Sequence, residues 1–408
     1  MRKTLLKAYA SLIVASGLAL RKGQAVMIRA NVDQEGFIAL IVEECYKKGA
    51  SHVEVRWGSQ KLNRLALRRG KEKYLSSVLP FEEAFEKWCS EELPCFLWID
   101  SDDPDGSQGV DAKKAARIRQ AKYAALGHYK EERENKCQWC IAAAPSKEWA
   151  KKIFPDLGGK AAMEKLWQAI LSSARAADGK GIENWSKHDK NLKERCAYLN
   201  SLNLRSLHYT SSNGTDLRVG LIPGVSFAGG GESTLGGIYF QPNIPSEEVF
   251  TSPMKGEAEG IVYAAKPLVY NGTVIKDFWV RFENGKAVEV HAEEGEEALR
   301  SILSLDEGSA YLGECAFVPY DSPINNSGLL FYSTLYDENA CCHLALGRGF
   351  TNLYPNFQDY NEEQLHGFGI NKSLSHVDFM IGSRDLNITG TTADGKEIPI
   401  FLYGNWAQ

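Results

Sequence analysis

The stretch from Ala25 to Trp57 constrains the fold more than any other. AVMIRA (25–30) is a short β-rich run, GFIALIVEECYKKGA (36–50) has helical periodicity and ends at Gly49, and HVEVRW (52–57) is β-rich again. Such a unit implies a parallel strand pair with a crossover helix, since parallel neighbours need a connection of about a dozen residues or more. The pattern continues in the strand runs PCFLWID (94–100) and QWCIAAAP (138–145), and in the helical runs DAKKAARIRQAKYAAL (111–126) and AAMEKLWQAILSSA (161–174). The first half is therefore expected to be an α/β domain, a largely parallel sheet covered by helices. Its opening, MRKTLLKAYASLIVASGLAL, looks superficially like a secretory signal. Lys7 interrupts the apolar run, and Leu5, Leu6, Tyr9, Leu12 and Ile13 recur at helical spacing, so a first amphipathic helix is expected.

From about residue 200 the pattern changes to short alternating runs broken by Gly, Asn and Pro. Turn dipeptides at Asn213-Gly214, Asn284-Gly285 and Asp394-Gly395 each lie between strand-like runs, a strong hairpin signal. EEALRSILS (296–304) is a helix among them. A chain of 408 residues has room for two domains, and the expected division is 1–200, α/β, and 201–408, mainly β (α+β).

Composition removes several function classes. The formal charge of −5 gives no general basic field for nucleic acid, and no apolar run is long enough to span a bilayer. Nine scattered cysteines, an odd number, argue against a disulfide framework and for a reducing, cytoplasmic compartment. Cys137 and Cys140 form a lone CQWC without a second pair at zinc-finger spacing, so they read as incidental thiols. AGGGE (228–232) lacks the spacing of a phosphate or dinucleotide loop and reads as a tight turn.

The chemistry is expected among the histidines. Of the eight, His52, His128, His188, His208, His291 and His366 read as structural or solvated. His376 lies in SLSHVDFMIGS, where strand periodicity puts it on the same face as Asp378. A buried His and Asp side by side need partners, and either a metal or a mutual hydrogen bond supplies them. His343 lies in DENACCHLALG (337–347), read as a helix capped by Asp337 and ending at Gly347 or Gly349. Glu338 is either a ligand reaching past the end of that helix or a carboxylate stabilised by its dipole. Glu247 and Glu248 in NIPSEEVFTSP face opposite ways if extended, so only one points inward. Glu314, in AYLGECAFVPY, is a lone carboxylate in an apolar strand and requires pairing or a metal. Together Glu248, Glu314, His343, His376 and Asp378, with Glu338 as a sixth, suit Zn, Co or Mn. They exceed what one catalytic zinc needs, and fit two ions about 3.5–4 Å apart that activate a bridging water.

NIPSEEVFTSP, LGE, DENACCHLALG and HVDFMIG, in this order, resemble the M29 family of metallo-aminopeptidases, the aminopeptidase T/AmpS/PepS group, and the resemblance runs nearly end to end. It implies a dinuclear site in the C-terminal domain and release of N-terminal residues from peptides with a free N-terminus. It carries the ligand roles to Glu248, Glu314, His343, His376 and Asp378, with Glu338 added, and implies a homodimer. Glu314 or Glu338 is then the carboxylate that relays the proton of the activated water. One position departs: where the family has a tyrosine seven residues after the first histidine, this chain has Phe350. Two rival readings follow, a dinuclear hydrolase of non-peptide amides or esters, and a metal-binding homologue with weak or lost peptidase activity.

Overall fold

The computed structural model describes residues 1–270 and 272–408. The chain forms two compact units, one made of 1–187 and 231–245, the other of 188–230 and 246–408. The expected cut at 200/201 lies at the end of the long helix Gly181–Ser201, which carries the chain from one unit into the other. A helix propagates cooperatively, so a compositional break at its end does not mark the spatial division.

The first unit is built on four strands: β1 (Ala25–Asn31), β2 (His52–Gly58), β3 (Cys95–Asp100) and β4 (Trp139–Ala143). Their order is β2-β1-β3-β4 and every pairing is parallel. Helix α1 (Lys3–Leu12) buries Tyr9, Ala10 and Leu12, as the helical spacing of its apolar residues requires. The crossover helix α2 (Glu35–Lys47) joins β1 to β2. Its Phe37 ring lies 5.5 Å from Tyr9 and 5.2 Å from Trp167 of the helix Gly159–Ser173. Met27 and Phe96 join Cys89 of the helix Pro80–Glu92 in another apolar cluster. Strands packed on both faces read as continuous apolar runs, which is how AVMIRA and CFLWID look.

The second unit contains two antiparallel sheets. The larger has nine strands and includes the three hairpins expected from the sequence: Leu204–Thr210 with Asp216–Leu221, Thr273–Glu283 with Lys286–Glu294, and Asn387–Thr392 with Glu397–Leu402. The smaller has five: β5 (Ala228–Gly229), β6 (Val249–Thr251), β7 (Leu312–Phe317), β8 (His343–Gly347) and β9 (His376–Met380), in the order β9-β8-β7-β6-β5. The tight turn expected at AGGGE is present, with Gly230 at φ +73° directly after β5.

One apolar core joins these sheets. Cys315 and Phe317 of β7, Leu344 and Leu346 of β8, and Val377 and Phe379 of β9 enter it, with Phe379 6.0 Å from Phe278 and Phe317 5.9 Å from Phe401. The alternate residues of the same strands, Glu314, His343, His376 and Asp378 among them, therefore stand on the opposite face. The strand period that builds the core also builds the site.

One expectation fails here. DENACCHLALG is not a helix. Thr334–Asp337 is a single α-turn, Glu338–Ala340 a 3₁₀ turn, and His343–Gly347 the strand β8, paired on both sides. Every residue of β8 is buried, so its pattern shows no period of two, and five residues are too few to support a helix. Asp337 does not cap a helix. Its carboxylate accepts the N–H groups of Phe331 at 2.8 Å and Ser333 at 3.2 Å, fixing the preceding loop.

Candidate metal centre

Strand register places the site residues. On β7, β8 and β9, Glu314 pairs with Ala345, which pairs with Asp378, while Ala316 pairs with His343 and Gly347 with His376. The small residues Ala316, Ala345 and Gly347 leave room above the sheet for the long polar ones. On β6, Val249 enters the core, so Glu248 and Phe250 project on the site side.

Glu314 reaches this face through a bulge. Leu312 is in the core, and plain alternation would send Glu314 there too. The register shifts between Leu312 and Glu314, which reverses the parity and turns the carboxylate outward. Gly313 permits this, because a Cβ there would collide with the carbonyl oxygens of Gly347 and Arg348. The LGE motif thus has a backbone reason for its glycine.

The result is two overlapping groups of ligand atoms. Glu248, Glu314 and His343 present donor atoms within 4.8 Å of one another, and so do Glu314, His376 and Asp378. Glu314 belongs to both groups. His343 Nε2 lies 3.4 Å from Glu248 Oε2, and His376 Nε2 lies 3.0 Å from Glu314 Oε2 and 3.1 Å from Asp378 Oδ1. Both rings turn their other nitrogen to a backbone carbonyl. His376 Nδ1 donates to Arg348 O at 2.7 Å, and His343 Nδ1 faces Cys341 O at 3.4 Å. That orientation, Nδ1 to the backbone and Nε2 to the centre, is the usual one for imidazoles that bind metals.

Charge at the centre is uncompensated by the usual means. Among the described residues no Lys or Arg forms an ion pair with Glu248, Glu314, Glu338 or Asp378. Burial disfavours the His343 imidazolium, but the carboxylates of Glu248, Glu314 and Asp378 overcome it and hold its pKa up at about 10. His376 is likewise raised well above its ordinary value, burial being outweighed by Asp378 and Glu314. Burial pushes Glu314 up, partly offset by His376, whereas Asp378, also opposed by burial, is held low by His376 and His343. Asp378 Oδ1 is buried, and among the described residues its ion-pair contact is with His376 Nε2 alone. Two oriented imidazoles and an excess of buried acids without a Lys or Arg partner are the donor set of a divalent-cation site.

Glu338 stands at the edge of this set and belongs to neither group of ligand atoms. Burial, then the charges of Asp378 and Glu248, raise its pKa well above the ordinary carboxylate value. Glu338 and Asp378 line one side of a cleft whose other walls include Pro267, Val269, Tyr332, Thr334 and Met380. Phe350 packs beside the ligand set, its ring 5.2 Å from His376 and 5.0 Å from Phe250.

Of the two adjacent glutamates, Glu248 faces His343, and Glu247 turns instead to His188, 3.7 Å away. Sequence reasoning set His188 aside as structural or solvated; its Nε2 also lies 2.8 Å from Ser246 O, beside the strand that presents Glu248. Asn339, within DENACCHLALG, is fully buried, a position that its sequence neighbours do not signal. Of the other five histidines, His52 pairs with Glu54, His208 with Asp216 and His291 with Glu296, while His366 contacts Ile370 O and His128 lies beside Tyr129. All nine cysteines are free and buried, and burial pushes the Cys137 thiol up to about 11.

Residues 2–406 match the sequence pattern of the thermophilic metalloproteases (M29). Aminopeptidase AmpS of Bacillus subtilis (strain 168) is 41% identical over 98% of both chains, and aminopeptidase 2 of Geobacillus stearothermophilus is 38% identical over 98% of this chain and 97% of its own. The solved structure of wild-type AmpT from Thermus thermophilus superposes with a TM-score of 0.90 at 37% identity, covering 100% of both chains.

Proposed function

This chain belongs to the M29 metalloprotease family and is a metal-dependent aminopeptidase, and we propose that it works through two divalent ions, Zn, Co or Mn, held by one continuous set of side chains. The observation that carries this reading is Glu314, the one carboxylate common to both groups of ligand atoms. Glu248 and His343 would complete one coordination sphere, His376 and Asp378 the other. Two such cations supply Lewis acidity toward the substrate carbonyl and a bound water of lowered pKa.

The chain's own residues do the rest. Burial and neighbouring acids raise the Glu338 pKa, which suits a group that would exchange protons with the water and the departing amine at Oε. Glu314 is placed to share that role, since its carboxylate touches both halves. A peptide's free α-amino group is a cation, and the carboxylate of Asp378, which lines the cleft, is the group that would attract it. An acylated N-terminus offers no such charge, so selectivity for free ends follows. Phe350 has no hydroxyl, so it gives the reacting carbonyl only an apolar wall. The physiological form is proposed to be a cytoplasmic homodimer acting on peptides; no helix among the described residues is long and apolar enough to cross a membrane.

Aminoacyl-4-nitroanilides compared with their N-acetylated forms test this directly. Cleavage of the free forms alone is expected, and equal cleavage of both would point to a general amide hydrolase.

A further inference from the structure

The strand that presents Glu248 and the turn that presents Glu338 are tied together by a single side chain. Asn339 is 0% exposed, and each of its polar atoms is aimed at one of these two elements. Its Oδ1 accepts the Glu247 N–H at 2.7 Å, from the Ser246–Glu247 peptide that leads into Glu248. Its Nδ2 donates to Leu335 O at 3.0 Å, which closes the turn, and lies 3.4 Å from Glu338 Oε1. On the far side of the same peptide, His188 Nε2 contacts Ser246 O at 2.8 Å, so the backbone entering Glu248 is gripped from two directions.

The other half of the site is held by different groups. His376 is oriented by Arg348 O, and the segment before it is fixed by Asp306, whose carboxylate accepts from Leu374 N at 2.6 Å and Ser373 Oγ at 2.9 Å. None of these touches Asn339.

We infer that Asn339 is a positioning residue for one ion of the pair: it orients Glu248 and Glu338, and so governs the affinity of the Glu248–Glu314–His343 half without governing that of the Glu314–His376–Asp378 half. This rests on the two-ion reading above. Partners that orient metal ligands typically change affinity by about 10–100-fold when removed. The effect here falls on one binding step and spares the other, which a general loss of folding stability would not do.

The test is a Co(II) titration of the metal-free full-length protein, reading stoichiometry and both affinities from the absorption of the bound ion. Wild type, Asn339→Ala, Asn339→Ser, His343→Ala and His376→Ala are compared. Asn339→Ser keeps a small polar group, and covers the case in which the alanine variant does not fold. Two steps are expected in the wild type. In either Asn339 variant the step abolished by His343→Ala weakens by about tenfold or more, while the step abolished by His376→Ala changes by less than about threefold. Equal weakening of both steps, or of neither, overturns the inference. A wild-type protein that binds one ion would instead overturn the two-ion reading.

Discussion

Loading the centre with metal should expel protons, and their number can be worked out from the geometry. His376 Nδ1 donates to Arg348 O, so it carries a hydrogen, and Nε2 faces Glu314 and Asp378 at 3.0 and 3.1 Å, contacts that also require one. That ring is therefore an imidazolium in the metal-free protein. His343, raised to about 10 by its carboxylate neighbours, is one as well at neutral pH. A cation can bind Nε2 only after its proton leaves, so loading both halves releases at least two protons. Lowering the pH by one unit near neutrality then weakens the overall affinity for two ions by about a hundredfold or more, about 1.4 kcal/mol for each proton. The stability of the metal-free protein runs the other way. Group pKa values raised above the unfolded value of 6.5 contribute stability that is present below 6.5 and lost as pH rises through about 10. Calorimetric titration at one pH in buffers of different ionisation enthalpy reads the proton count as a slope. A slope near two or above is expected for the wild type, falling by about one in His343→Ala. A slope near zero, or one that His343→Ala leaves unchanged, would refute the reasoning.

Further perturbations separate the parts of the site. Glu314→Gln removes the one carboxylate shared by both halves, so both ions should be lost and kcat/KM should fall by more than the roughly 100-fold typical of an outer partner, measured with metal analysis and nitroanilide kinetics. Gly313→Ala forces a Cβ against two carbonyl oxygens, one of them the acceptor of His376, and should cost about 1–3 kcal/mol by denaturant unfolding while weakening metal binding. Phe350→Tyr puts a hydroxyl beside His376, and a donor for the developing oxyanion should raise kcat by up to about 100-fold at unchanged metal content.

Much of this was legible in the sequence, and the failures have physical causes. The parallel sheet followed from AVMIRA, its helix and HVEVRW, because chain direction is fixed by a crossover. The hairpins followed from their turn dipeptides. HVD was read correctly as one face of a strand because its polar pair has a period of two. HLALG was misread as helical because a strand buried on both faces loses that period, and Asp337 looked like a cap only on that misreading. Glu314 was picked out as an isolated acid in an apolar run, but its direction depends on a bulge at Gly313 that local sequence does not announce. The role of Asn339 is not visible in the sequence because it lies in a contact to a peptide 92 residues away, whereas His188, expected to be structural or solvated, makes a structural contact to Ser246 58 residues away.

The central claim is that Glu314 joins two metal ions. Anomalous X-ray diffraction from crystals of the Zn- or Co-loaded protein tests it most directly. Two ions about 3.5–4 Å apart are expected, each touched by a Glu314 oxygen, with His343 Nε2 and His376 Nε2 each about 2.0–2.1 Å from a different ion. A single ion, or a pair that Glu314 does not touch, would contradict the account.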